Sequence, residues 1–290
     1  MIEYVRLNQT SASNFTHFVL PEAKSLFTEF PPSVCAFGAL SSGKPIGLAL
    51  AELASNQSVT HVKMIYVAPD FRRQGVGKGL MRSFEQTLQA SKMKFLSVEF
   101  LPEKDQRDLH LFLESCGFQS PQPSIHIRQG PLAYLLELEW MTLTFPEGYK
   151  IEPWTSITPA EREKVKSEVD VVFLEMFSPF PEEELIDQEL SLLVRYKGKI
   201  AGWLMLEAFN QDTVLFKTMY MYPRYQRTGQ GVVLLAETSR RVMANSKYEN
   251  GIFFVEDRNK PMVQFAQRYL SNAPLKSETL WRTHKKMGSF

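Results

Sequence analysis

Two segments 154 residues apart obey one template. Residues 67–77 read VAPDFRRQGVG and residues 221–231 read MYPRYQRTGQG. Each carries a proline, an aromatic, Arg or Gln, Arg, and then two glycines with one residue between them. Lys63 and Lys217 hold the same offset upstream, inside the alternating runs SVTHVKMIYV and DTVLFKTMYMY. Alternation with β-branched and aromatic residues is a strand signal. Downstream the period changes to that of a helix. Leu80, Met81, Phe84 and Leu88 mark one face, and Leu234, Leu235, Thr238 and Val242 occupy the matching places. Earlier, residues 35–53 resemble residues 192–209 as strand, Gly-Lys turn and strand, which puts Glu52 opposite Glu207. A chain that repeats itself this way is built twice on one plan.

The remaining segments fit that plan. Ile2–Leu7 and Tyr149–Trp154 read as opening strands, and Phe95–Leu101 and Ile252–Glu256 as later ones. Helices are expected near Arg107–Ser115 and Pro261–Leu270, and Thr158, Pro159 and Glu161 form a helix start. Phe145–Pro146–Glu147–Gly148 reads as the linker. The 290 residues therefore divide into domains at 1–145 and 146–290.

Composition removes several classes of function. Lys and Arg total 33 against 32 Asp and Glu, a net charge of +1, which argues against nucleic acid as a partner. No apolar run approaches the ~18 residues of a membrane span. The first residues, MIEYVRLNQT, do not read as a secretory signal. Two cysteines, Cys35 and Cys116, make neither a disulfide framework nor a metal site, and no metal is expected. A cytoplasmic protein, monomeric or homodimeric, is the expectation.

A strand that runs into a glycine turn and then a helix is an anion-binding geometry. The first helical N–H groups lack internal partners, and the helix dipole adds positive charge there. Glycine lets the main chain approach the anion, and successive amides form a nest around it. Arg72, Arg73 and Lys78, or Arg227 in the second copy, would add long-range attraction. A bare strand-to-helix turn would explain the glycines, but not Arg or Gln and then Arg at fixed places before both. The dinucleotide fingerprint Gly-x-Gly-x-x-Gly is not matched, and no Gly-Lys-Ser/Thr ending marks a triphosphate loop.

The pattern Pro69–Arg72–Gly75–Gly77 and Pro223–Gln226–Gly229–Gly231 resembles the acetyl-CoA motif of GNAT-type N-acetyltransferases. The order of strands and helices in both halves is similar to that fold. The resemblance implies an α/β (α+β) protein of two tandem GNAT-like domains, each a mixed, mostly antiparallel sheet flanked by helices. It implies transfer of an acyl group from acetyl-CoA, or another acyl-CoA, to a primary amine of a small molecule or peptide. By position, the cofactor would meet Arg72, Arg73, Gln74, Gly75, Val76, Gly77 and Lys78, with Ile65, Tyr66 and Val67 on the preceding strand. In the second half the counterparts are Gln226, Arg227, Thr228, Gly229, Gln230 and Gly231, with Met219 to Met221. Gln106 and Asn259 stand where the family commonly has a CoA-contacting asparagine.

An amine of pKa ~10.4 is neutral about once in 2,500 molecules at pH 7, so a base has much to gain. Many relatives place a glutamate about eleven residues ahead of the motif's Arg or Gln. Here that position is His61 or Leu215. Strict alternation would put His61 on one strand face with Lys63, Ile65 and Val67, and its intrinsic pKa near 6.5 suits a base. The acidic candidates are Glu52 and Glu99; a strand-edge role without chemistry stays open for all three. The family's tyrosine acid on the last long helix is missing, since Leu113 and Ala266 stand there. Solvent or Cys116 would substitute. His61 and the more basic turn Arg72–Gly77 make the first half the expected active copy. The competing reading is a non-catalytic acyl-CoA-binding regulatory protein; transfer of a longer acyl group is a further one.

Overall fold

A computed structural model describes residues 1–54, 58–89, 93–102, 107–226, 228–271 and 273–287. The chain forms two compact units, Met1–Ser124 with Thr279–Phe290, and Ile125–Glu278.

Unit 1 opens with β1 (Ile2–Arg6), the short helices α1 (Gln9–Ala12) and α2 (Lys24–Glu29), then β2 (Val34–Ser41) and β3 (Lys44–Leu53). Next come β4 (Val59–Val67), α3 (Val76–Gln89), β5 (Phe95–Phe100) and α4 (Arg107–Ser115). The chain then runs through β6 (Gln122–Pro131) into unit 2, with β7 (Tyr149–Pro153), α5 (Pro159–Ser167), β8 (Leu192–Tyr196) and β9 (Lys199–Ala208). β10 (Thr213–Met221), α6 (Gln230–Asn245), β11 (Asn250–Glu256) and α7 (Lys260–Leu270) complete it, and β12 (Lys276–Lys286) returns the chain to unit 1.

The strand order in unit 1 is β1-β2-β3-β4-β5-β12, and in unit 2 it is β6-β11-β10-β9-β8-β7. Each sheet is antiparallel except for one pair, β4 with β5 and β10 with β11. β6 precedes the 145/146 linker yet pairs with β11, while β12, at the other end of the chain, pairs with β5. The compact units therefore divide the chain differently from a cut at 145/146. Alternation reveals a strand but not its partner, because pairing is non-local.

Local chemistry sets the rest. The β2–β3 and β8–β9 hairpins turn through Ser42–Gly43 and Lys197–Gly198, all at positive φ, as two-residue primed turns require. The inner strand β3 is apolar and buried from Ile46 to Ala51, because helices cover both faces. Leu48 and Leu50 pack with Phe15, Phe27 and Met64 on one face. Ala49 and Ala51 meet Leu80, Met81, Phe84 and Leu88 of α3 on the other. In unit 2, Leu234 and Val242 of α6 join Leu192 and Leu204, and Trp154 and Trp203 fill the opposite face. Thr158 and Glu161 form the expected capping box at α5.

Candidate functional site

In both units a strand pair parts just before the glycine turn. β4 and β5 are in register only from Val59 opposite Phe95 to Val62 opposite Val98. β10 and β11 pair from Thr213 opposite Asn250 to Leu215 opposite Ile252. Beyond those points Ile65–Val67 and Met219–Met221 pair, among the described residues, with their other neighbour alone, β3 or β9. The parting leaves amides and carbonyls along the inner edges of β4 and β10 for a bound chain.

At the top of each gap the turn is tied down in the same way. Arg72 Nε donates to the Val67 carbonyl at 2.9 Å, and Gln226 Nε2 donates to the Met221 carbonyl at 2.8 Å. The residue that sequence reasoning assigns to the anion thus holds the end of the strand, which explains why Arg and Gln interchange there. Gln74 Nε2 bonds the Asp70 carbonyl, and Arg73 is paired with Asp108 at 2.5 Å. Arg73, Gly75 and Gly229 lie at φ +62°, +83° and +81°, which swings successive N–H groups toward one side. From Arg73 to Lys78, through Val76 and Gly77, no main-chain N–H has an acceptor among the described residues; the first to find one is Gly79, bonded to Gly75. In the second turn Thr228, Gly229, Gln230 and Gly231 are free in the same sense, and Val232 and Val233 bond Gly229. Arg227 and Gln106 lie outside the described residues. Asn259 caps α7 by accepting from the Met262 N–H at 3.3 Å and also lines the cavity described below.

The three chemical candidates of unit 1 are neighbours. Glu52 stands opposite His61 on β3 and β4, and His61 stands opposite Ser97 on β5. Glu99 follows two residues after Ser97, so it shares that face. His61 does not share a face with Ile65 and Val67, contrary to strict alternation. A bulge at Lys63 shifts the register between Leu50 and Ala51. Ile65 and Val67 therefore pack with Val62 on the α3–α4 face, while His61 faces the same side as Val34. One extra residue flips every later side chain. Burial is the largest influence on His61 and lowers its pKa below 6.5, with Glu99 opposing. Glu99 is held by Arg282, whose Nε lies 2.5 Å away. Glu52 pairs with Lys63 at 3.1 Å. Ser97 was not singled out by sequence; its Oγ is buried with no hydrogen-bond partner among the described residues. Its phase with Glu99 in FLSVEF was the available signal.

Unit 2 shares the bulge, here between Phe216 and Thr218 of β10, but Leu215 stands where unit 1 has His61. Lys217 bonds Glu207 at 2.8 Å and Glu182 at 2.7 Å. Burial works against the Lys217 charge, but these two carboxylates outweigh it and raise its pKa. The tyrosine position on the last long helix is filled by buried Leu113 and Ala266. Tyr269 instead packs at a tilt against Phe265, and Cys116 is a half-buried thiol whose pKa burial pushes up.

The parted strands of unit 2 open into a cavity of about 390 Å³, lined among others by Phe216, Met219, Phe253, Val255, Trp140 and Leu270. That size falls within the ~300–1,000 Å³ of small-molecule sites. A second depression, lined by Asp170, Glu175, Pro181 and Arg258, shares Met176, Lys217 and Thr218 with it. Among the described residues no cluster of three or more metal-ligating side chains occurs, and no helix is long and apolar enough to cross a membrane.

Comparison with known proteins agrees with this geometry. The family model "Acetyltransferase (GNAT) family" matches residues 4–118 and again 151–271. No curated protein matches the chain. Among solved structures, the chain is similar to a tandem GNAT protein from the clavulanic acid biosynthesis pathway, at 16% identity and a TM-score of 0.63 over 100% of both chains. A GCN5-related N-acetyltransferase from Sphaerobacter thermophilus is similar at 15% identity and a TM-score of 0.63, over 99% of this chain and 96% of that one. A glucosamine N-acetyltransferase region of a fungal β-N-acetylglucosaminidase is similar at 13% identity and a TM-score of 0.67, over 98% of this chain and 38% of that one. At such identities these likenesses are of fold. With both family matches falling on the two repeats, the chain belongs to the acetyltransferase (GNAT) family and carries that family's domain in tandem.

Proposed function

We propose that the protein transfers an acyl group from an acyl-CoA, acetyl-CoA first, to a primary amine of a small molecule or an exposed peptide amino group. The observation that carries this reading is the run of acceptor-free amides from Arg73 to Lys78 above the parted strands β4 and β5. Six successive acceptor-free donors at a helix start suit a diphosphate, and the inner edge of β4 suits an amide-bearing arm. Acyl-CoA supplies the activated acyl carbonyl.

In unit 1, His61 takes the proton from the incoming ammonium, since its lowered pKa keeps it neutral at pH 7. Glu99 and Glu52 flank it and stabilise the imidazolium that forms. The amine nitrogen then bonds the acyl carbon and gives up its second proton to solvent, the carbon–sulfur bond breaks, and the thiolate takes a proton from solvent. A thiol of pKa ~8.5 leaves without needing a dedicated acid. A near-neutral chain suits a monomeric or dimeric cytoplasmic enzyme acting on an acceptor that is neither polyanionic nor polybasic.

A second reading has a specific observation behind it: Leu113 and Ala266 leave no phenol on either last helix. Under it, the protein binds acyl-CoA as a regulatory module without turnover. Free-thiol release over a broad amine panel, beside calorimetric acetyl-CoA binding, separates the two. Binding with turnover supports the transferase, and binding without turnover on every amine supports the regulator.

A further inference from the structure

The cavity in unit 2 reaches further than a coenzyme arm needs. The amide turn stands beside the cavity wall: a Cβ at Gly231 would lie 3.9 Å from Met219 Cε and 4.0 Å from Met221 Cγ. Met219 lines the cavity, and so does Phe216, at the edge of the paired segment. From Met221 to Phe216 the strand runs about 17 Å at ~3.4 Å per residue, comparable to an extended pantetheine arm. The cavity continues past that point. Gly251 lies within the paired part of β11 opposite Gly130 of β6, and Leu132 and Leu135 follow on the same chain. Leu132 and Phe216 close directly over Gly251, since a Cβ there would come within 2.9 Å of Leu132 and 3.2 Å of Phe216 and would push both lining side chains into the chamber.

Polarity is graded along the same axis. The charged lining groups are Arg128, Lys217 and Glu256. Lys217 and Glu256 stand on the parted strands, and Arg128 is opposite Phe253 on the parted stretch. Around Gly251 the lining is Leu132, Leu135, Trp140, Leu270 and Leu275. A dry apolar chamber behind a polar mouth suits a hydrocarbon tail attached to a polar carrier.

We propose that unit 2 binds acyl-CoA whose acyl chain is longer than acetyl, with the chain lying in the chamber between Phe216 and Leu135. This rests on the reading that Thr228–Gly231 holds the CoA diphosphate, and it adds the class of acyl group. Transfer of the apolar chain from water should strengthen binding by up to roughly fourfold per methylene until the chamber is full.

The test is calorimetric binding of CoA, acetyl-CoA, hexanoyl-CoA and octanoyl-CoA to the full chain, to Leu135→Trp, to Gly251→Ala and to Gly229→Glu. The expected result is at least a hundredfold tighter binding of octanoyl-CoA than of acetyl-CoA. Leu135→Trp should remove that gain and leave acetyl-CoA binding intact, with Gly251→Ala reducing the gain if Leu135→Trp does not fold. Equal affinity along the series at the site that Gly229→Glu removes would overturn the chamber and spare the coenzyme site. A chain-length gain that survives Gly229→Glu would also overturn it, by placing the tail elsewhere. Failure of every CoA species to bind would remove the coenzyme reading itself.

Discussion

Lys217 donates to Glu207 at 2.8 Å across the bulge of β10, and the equivalent Lys63 meets Glu52 at 3.1 Å across the bulge of β4. The same pair recurs in both units with different burial. The Lys217 side chain is 18% exposed and Glu207 21%, whereas Lys63 is 42% exposed. Lys217→Met would strand a half-buried carboxylate and should cost about 1–3 kcal/mol. Lys63→Met should cost less than about 0.5 kcal/mol, as solvent screens an exposed pair. Urea denaturation of both variants checks this, and equal costs would show that burial does not set the strength of the pair.

Arg72 and Gln226 anchor the turn and do not contact the diphosphate in this account. Arg72→Gln should therefore retain acetyl-CoA affinity within about twofold, because Gln226 shows that glutamine reaches the strand-end carbonyl. Arg72→Ala should weaken binding about tenfold by loosening the amides, at the cost of one hydrogen bond of about 1 kcal/mol. A large loss in Arg72→Gln would mean that the guanidinium charge itself holds the anion.

His61 gives a pH signature. Burial lowers its pKa, so the neutral base persists below pH 6.5 and kcat/KM should fall only as pH drops through the lowered value. His61→Gln should lose about 10²–10⁴-fold in kcat/KM and flatten that acidic limb. A depressed histidine also makes the fold sensitive to acid. Stability is full above the unfolded pKa near 6.5 and declines as pH falls through the folded value, because the buried imidazole resists protonation. An unchanged acidic limb in His61→Gln would assign the proton to another group.

Arg195 is the electrostatic centre of the β7–α5 corner. It bonds Glu152 through Nε at 2.7 Å and Glu161 through Nη2 at 2.9 Å. Lys150 and then Arg195 hold the Glu152 carboxyl at about 2, and Arg195 holds Glu161 at about 2. Both are lowered, so the stability they contribute is present above the unfolded value near 4.5 and is lost as pH falls through about 2. Arg195→Met should cost about 2–4 kcal/mol at pH 7 and flatten the decline in stability between pH 4.5 and 2, followed by thermal melts. An equally steep acid decline in the variant would place the sensitivity elsewhere.

Much of this was legible in the sequence for local reasons. Strand ends, the helix Arg107–Ser115, the α5 capping box and the apolar faces of α3 and α6 follow from periodicity and turn chemistry. What stayed hidden depends on partners far along the chain. Pairing of β12 with β5 joins residues about 180 positions apart, which alternation alone does not encode. The bulge at Lys63 is equally silent, because an inserted residue leaves composition and propensity unchanged while reversing the faces of Ile65 and Val67. The chamber in unit 2 is a property of assembled space. Its clearest trace in the sequence is Gly251, and glycine in a strand has several meanings.

The central claim is that two turns, Arg73–Lys78 and Thr228–Gly231, each hold a CoA diphosphate through main-chain amides. Isothermal titration of acetyl-CoA into the full chain, Gly75→Glu, Gly229→Glu and the double variant tests it most directly. A carboxylate at either glycine would occupy a strained positive φ and repel the anion. The expected result is two sites in the full chain, one in each single variant and none in the double variant, with folding confirmed by circular dichroism. Undiminished binding in the double variant would contradict the claim.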